Sequence, residues 1–167
     1  MNRLTDDEFN ILVSNYSNML FKVAYSYTKN IADSEDIVQD AFLKLYRARK
    51  VFESNDHIKN WLIRVTINQS LNEFKRKKKE ILIDNECINN LSDTSDADKK
   101  NEVIRECVMS LKGNYKNLII LFYYDNFSIR EISNILKMTE NCVKVTLNRA
   151  RKKLKEEIIK RGIKYGK

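Results

Sequence analysis

Proline is absent from this chain, glycine occurs 3 times and histidine once in 167 residues. Hairpins and other turns that need left-handed backbone therefore have few places to form, which points away from β-rich folds. The glycine-rich phosphate loops GxGxxG and GxxxxGK[ST] are missing, as is HExxH. With one histidine, most hydrolase, kinase and dehydrogenase chemistries lack their parts, so no enzyme, cofactor or metal site is expected. Cys87, Cys107 and Cys142 are scattered and form no CxxC pair. That pattern argues against a disulfide framework and a zinc site, and favours buried structural thiols at Cys107 and Cys142. No apolar run approaches the ~18 to 20 residues of a membrane span. The stretch MNRLTDDEFN lacks the basic-then-apolar layout of a secretory signal. A cytoplasmic protein without membrane insertion is expected.

What is present is hydrophobic mass (43%) and charge (32%), the composition of a core-forming soluble protein. The net charge of +8 is unevenly placed. Residues 61–80 carry +4 and residues 107–167 carry +9, whereas residues 81–106 carry −4 and residues 1–60 carry −1. Two basic blocks flanking an acidic stretch suit a polyanion, because lysines and arginines on phosphates release counterions. Neither block is paired with a large unused apolar face, so a membrane surface is the poorer match.

Helix signals dominate. Thr5-Asp6-Asp7-Glu8 is a capping box, and Phe9, Leu12, Val13, Tyr16, Leu20, Val23, Ala24 and Tyr27 follow at helical spacing. Asp33 or Ser34 is the expected cap of a second helix reaching Lys50, with Ile37, Val38, Ala41, Phe42 and Leu45 inward. A polar loop from Glu53 to His57 precedes a third helix, expected over Ile58–Lys79. Residues 81–101 lose periodicity and fill with Asn, Asp and Ser, the pattern of a linker. Helical pattern resumes near Glu102, with a further helix over Lys116–Tyr124. The expected architecture is all-α: two small helical domains, 1–80 and 102–167, joined by an acidic linker over 81–101, the second carrying a helix-turn-helix.

Three helix faces carry candidate function. On the third helix Ile63, Ile67, Leu71 and Phe74 share one side, and Trp61, Val65, Asn68, Asn72 and Lys75 the other. The second side runs into Lys75-Arg76-Lys77-Lys78-Lys79. Amides can pair with base edges, an aromatic can stack on an unpaired base and the basic run can hold phosphates. The bland alternative is a core tryptophan beside solvated asparagines. In the second domain, Ser128-Ile129-Arg130-Glu131 is another capping box, followed by a turn at Lys137-Met138 and an N-cap at Thr139. The last helix then turns Val143, Leu147, Ala150, Leu154 and Ile158 inward. Its outward side presents Asn141, Lys144, Val145, Asn148, Arg149 and Lys152, the division a recognition helix needs. Arg151, Lys152, Lys153 and Lys155 could reach phosphates. A basic amphipathic helix in a bundle is the alternative. On the second helix, Asp36, Gln39, Asp40 and Leu43 form an acidic and amide face suited to a basic protein surface.

Taken in order, ADSEDIVQDAFLKLYR, NWLIRVTINQSLNEFKRKKK and LIILFYYDNFSIREISNILKMTENCVKVTLNRARKKLK resemble a sigma factor of bacterial RNA polymerase, of the compact extracytoplasmic-function type. The resemblance implies a promoter-specificity subunit whose partners are the clamp of core RNA polymerase and promoter DNA, duplex and melted, with an anti-sigma factor as an optional third. It implies that the first domain docks on polymerase through Asp36, Gln39, Asp40 and Leu43. That domain is expected to open the minus-ten element through Trp61, Asn68, Asn72, Lys75 and Arg76, with a flipped base at the Phe52–His57 loop. The second domain is expected to read the minus-thirty-five element through Asn141, Lys144, Val145, Asn148, Arg149 and Lys152. The chain departs from the family pattern at Asn72, commonly Asp, and at Lys112, Ser133, Lys137 and Cys142, commonly Pro, Ala, Gly and Thr.

Two rival readings use the same residues. A stand-alone helix-turn-helix regulator would bind duplex DNA without polymerase, leaving the tryptophan-amide face and the acidic face unused. An interaction protein with an acidic partner would show no promoter preference.

Overall fold

The computed structural model describes residues 4–84 and 96–162. Among these the chain is helical, with seven α-helices, one π-helical turn and no strand. It forms two compact units, one built on the first three helices and one on most of the rest. Cys87 and most of the expected linker lie outside the described residues.

In the first unit α1 (Asp6–Thr28) starts where its capping box places it. The Thr5 hydroxyl accepts from Glu8 N–H at 3.2 Å and the Glu8 carboxylate accepts from Thr5 N–H at 2.9 Å. Helix α2 (Ile31–Arg47) begins earlier than the acidic residues suggest. Asn30 is the cap, its Oδ1 accepting from Asp33 N–H at 2.9 Å. Ser34 is instead buried, its hydroxyl donating to the Asn30 carbonyl at 2.6 Å. The helix stops at Arg47, short of Lys50. Helix α3 (Asn55–Asp84) also starts early, because Ser54 accepts from both His57 N–H (3.1 Å) and Ile58 N–H (3.1 Å). Residues 55–57 are thus its first turn and not loop.

All five expected inward residues of α2 are buried. Helix α3 buries a wider face than its aliphatic spacing predicts. Leu62, Thr66 and Ser70 join Ile63 and Ile67 in the interior, while Leu71 and Phe74 are half-buried. The Ser70 hydroxyl donates to the Thr66 carbonyl at 2.8 Å, which lets a polar side chain sit inside without cost to the ladder.

The second unit comprises α4 (Asp96–Ser110), α5 (Asn114–Ile119), a π-helical turn (Ile120–Tyr124), α6 (Ile129–Leu136) and α7 (Glu140–Lys160). Helices α3 and α4 reach into the segment expected as linker, to Asp84 and from Asp96. Residues 96–102 are all exposed and so show no apolar period, although Asp96 and Asp98 complement the helix dipole. Helix α7 packs on α5 and α4, burying Val143, Leu147, Ala150 and Ile158. Leu154 is half-buried. Cys107 is buried and burial pushes its thiol up, out of the reactive range. Cys142, expected inside, is exposed because it faces outward on the first turn of α7.

Among the described residues, no helix is long and apolar enough to cross a membrane, and no group of His, Cys, Asp and Glu is placed to hold a metal ion.

Candidate nucleic-acid and docking interfaces

On α2, Asp36, Gln39 and Asp40 are exposed and Leu43 is 42% exposed, all on the side away from Ile37, Ala41 and Leu45. Asp40 is not free: its carboxylate accepts from Gln69 Nε2 of α3 at 3.4 Å. Beside Leu43 and Gln39 an apolar groove of about 730 Å³ runs between α1 and α2, floored by Phe9, Val13, Phe21 and Phe42. The sequence pattern does not announce it, because Phe9, Val13 and Phe42 also count as ordinary inward stripe and Phe21 lies outside that stripe.

The outward face of α3 has three layers. At its start Trp61 is half-buried, neither core nor free, and meets the Phe52 ring edge-on at 5.5 Å. Phe52 also contacts the His57 ring at 5.5 Å and lies under the Lys50 ammonium at 5.7 Å. A cleft of about 640 Å³ opens beside this loop, lined by Leu4, Tyr46, Lys50, Val51, Phe52 and Asn55. Val65 is half-buried and Asn68 and Asn72 are exposed above the tryptophan. Lys75 is exposed at the far end, but Arg76 is engaged within its own helix by Glu73, at 2.5 Å, and by Glu80. Those carboxylates favour its cation and must be exchanged before it reaches a phosphate. Lys77 pairs with Asp33 of α2, which fastens α3 to α2 rather than to a ligand.

The second unit builds a helix-turn-helix from the sequence elements expected of it. Ser128 and Glu131 exchange hydrogen bonds at the start of α6, at 3.2 and 2.9 Å. The turn is closed by Lys137, left-handed at φ 54°, with Met138 N–H donating to the Ser133 carbonyl at 3.0 Å. Ser133 turns its hydroxyl onto the Arg130 carbonyl at 2.7 Å. Thr139 then caps α7, accepting from Cys142 N–H at 3.2 Å. Past that cap, Asn141, Lys144, Val145, Asn148, Arg149 and Lys152 all stand exposed on one side. Val145 is 42% exposed, an apolar contact offered to whatever meets this face. Arg151, one of the cations expected toward phosphates, is engaged within its own unit: its guanidinium lies on Tyr123 and Phe122 and donates to Asn148. Lys153 is paired with Glu156 at 2.8 Å.

Comparison with known proteins accounts for both units. Residues 12–80 match the family described as Sigma-70 region 2, and residues 101–154 the family described as Sigma-70, region 4. The chain is 30% identical over 156 residues to the ECF RNA polymerase sigma factor SigM of Bacillus subtilis, covering 89% of this chain and 93% of that one. It is 26% identical over 151 residues to the RNA polymerase sigma factor SigV of the same organism, covering 90% and 91%. The fold is similar to CnrH, solved with the cytosolic domain of CnrY, at a TM-score of 0.63 and 21% identity over 91% of this chain and 88% of that one. It is also similar to the sigma factor RpoE of Bartonella quintana, solved with the anti-sigma factor NepR, at a TM-score of 0.58 and 21% identity, covering 91% and 97%.

Proposed function

The chain belongs to the extracytoplasmic-function group of RNA polymerase sigma factors, and from that membership we propose how its two units divide the work of a promoter-specificity subunit. As a sigma subunit it binds core RNA polymerase and promoter DNA and directs transcription initiation. The first unit, residues 1–80, docks on the polymerase clamp through Asp36, Gln39, Asp40 and Leu43. Acidic and amide groups around one exposed leucine suit a basic surface, with the charges steering approach and the apolar groove beside them giving contact area.

The α3 face of the same unit holds the melted minus-ten strand. Trp61 offers a stacking surface, Asn68 and Asn72 offer donors and acceptors to base edges, and Lys75 and Arg76 hold phosphates. The cleft beside Phe52 takes an unstacked base. Strand opening on this account is thermodynamic: bases bound by the first unit offset the few kcal/mol of lost stacking. The second unit, residues 102–167, reads the minus-thirty-five element through Asn141, Lys144, Val145, Asn148, Arg149 and Lys152. Each good base contact there supplies discrimination of ~1 to 3 kcal/mol. The protein acts in the cytoplasm and catalyses no reaction of its own.

The observation that carries this reading is the outward face of α7, six exposed residues on a capped helix whose opposite side is buried. The test is run-off transcription with purified bacterial core polymerase on DNA from upstream of this protein's own gene, with co-elution of the two proteins as companion readout. A discrete transcript that depends on the protein, and is lost when Asn68 or Lys144 is changed to Ala, supports the assignment. Failure of both transcript and co-elution makes the stand-alone duplex-DNA regulator the leading account.

A further inference from the structure

On α7, Asn148 and Arg151 are three residues apart and joined: Arg151 Nη1 donates to Asn148 Oδ1 at 2.9 Å. The arginine is itself held from the other side. Its Nε donates to the Tyr123 hydroxyl at 2.5 Å, and its guanidinium lies 5.8 and 5.6 Å from the ring centroids of Phe122 and Tyr123. Both aromatics sit on the π-helical turn before α6, which packs in the same unit. A planar guanidinium fixed by one hydrogen bond and two rings has little freedom left, so it dictates the orientation of the amide it touches. Asn148 Oδ1 is engaged by a cation of its own helix, while the amide Nδ2 carries no hydrogen bond among the described residues.

An asparagine that reads adenine uses both ends of its amide, donating to N7 and accepting from the N6 amino group. An asparagine whose oxygen already accepts from a fixed guanidinium has one of its two lone pairs taken and its amide plane set by that contact, so it meets a base edge with its NH2 group first. Guanine, with N7 and O6, and thymine, with O4, present only acceptors on the major-groove edge, whereas adenine sets an amino donor beside its N7 and cytosine presents an amino donor alone.

We infer that Arg151 is a positioning residue that turns Asn148 so that its NH2 group meets the major groove first, and that this point of the recognition helix therefore favours guanine or thymine over adenine and cytosine. The inference rests on the assignment of α7 as the helix that reads the minus-thirty-five element.

The test is transcription by core polymerase carrying the full chain, on a promoter library randomised across the minus-thirty-five element, followed by sequencing of the transcribed templates. Asn148→Ala identifies the base position that Asn148 reads, as the one whose preference disappears. With the unaltered protein that position is enriched in guanine or thymine. Arg151→Met keeps an apolar stem against the two rings but frees Asn148 Oδ1, and adenine should gain by roughly fivefold at that position alone, the worth of one released hydrogen bond. Tyr123→Phe removes only the hydroxyl that holds Arg151 Nε, leaves the packing intact and should shift the preference in the same direction to a smaller extent.

Adenine or cytosine selected by the unaltered protein overturns the inference, as does a preference that neither Arg151→Met nor Tyr123→Phe moves. A uniform loss across all templates with Arg151→Met, at unchanged helicity, also overturns it and makes Arg151 a phosphate contact. If the unaltered protein enriches no minus-thirty-five sequence, the recognition-helix assignment itself fails, a result distinct from any of the others.

Discussion

Trp61 stands edge-on to Phe52, ring centroids 5.5 Å apart and planes at 73°, so that the first turns of α3 and the loop before them share one aromatic platform. Part of the indole remains accessible on the face that continues through Asn68 and Asn72. The pair thus has a structural and a nucleic-acid role that substitution separates. Trp61→Ala should cost about 2 kcal/mol of stability, less than a fully buried tryptophan, because part of the ring is already solvated. It should also slow promoter opening on duplex DNA, while a template already melted at the minus-ten element restores most of the activity. Trp61→Phe keeps an aromatic partner for Phe52 and should retain most of the stability. Permanganate footprinting of the open complex, with thermal melting of each variant, checks both halves.

Lys137 closes the turn of the helix-turn-helix with φ at 54°. A side chain there is strained, because Cβ crowds the backbone carbonyl in left-handed geometry, at roughly 1 to 2 kcal/mol. Glycine escapes that strain but adds freedom to the unfolded chain. Lys137→Gly should therefore raise the stability by about 1 kcal/mol, whereas Lys137→Ala should leave it near the starting value. Urea unfolding followed by far-ultraviolet circular dichroism decides. An equal response to Gly and Ala would place the strain elsewhere.

The elements that were legible in the sequence are those with a local cause. Thr5 with Glu8, and Ser128 with Glu131, are reciprocal pairs three residues apart, and both helices begin where those pairs place them. The last helix likewise needs only its own cap and its own period. Misplaced boundaries came from competing caps: Asn30 and Ser54 are adequate N-caps upstream of more conspicuous acidic or aliphatic residues. What stayed hidden is tertiary. Nothing in the spacing reveals that Arg151 reaches Tyr123 or that Gln69 reaches Asp40; the ties of Arg76 to Glu73 and Glu80, and of Arg151 to Asn148, are three- and four-residue neighbours that spacing permits but does not single out within a run of cations. A run of cations looks uniform along the sequence, but its members differ once a carboxylate or a ring lies within reach.

Glu8 makes the stability of α1 sensitive to acid. Its carboxyl is held below the ordinary value of 4.5, first by the Thr5 backbone N–H and then by the Thr5 hydroxyl. A depressed folded-state value means that the stabilisation is complete above the unfolded value and is lost as the pH falls through the folded one. Glu8→Gln keeps a carbonyl for the same N–H but does not titrate. The advantage of the unaltered protein over Glu8→Gln should be constant near neutrality and should shrink on acidification below 4.5. Urea midpoints of the two proteins across that range give the answer, and a difference independent of pH would remove the charge from the account.

Asp40 is the residue through which the docking face is best questioned, because its carboxylate is exposed yet tied to α3 by Gln69 at 3.4 Å. A lost contact to polymerase and a loosened α2–α3 pairing could look alike in one variant. Asp40→Asn keeps an oxygen for Gln69 Nε2 but removes the charge, and Asp40→Lys reverses the charge and removes the acceptor. If the carboxylate faces a basic surface, Asp40→Asn should weaken co-elution with core polymerase moderately and Asp40→Lys by about tenfold or more, mostly through slower association. Raising the salt should narrow the gap between the unaltered protein and both variants, since screening weakens the attraction that only the carboxylate supplies. Gln69→Ala removes the α3 tie without touching the charge and should leave polymerase binding nearly intact. Native binding by Asp40→Lys with unchanged helicity would take this face out of the docking surface, and a loss confined to Gln69→Ala would make the α2–α3 contact, not the charge, the feature that polymerase requires.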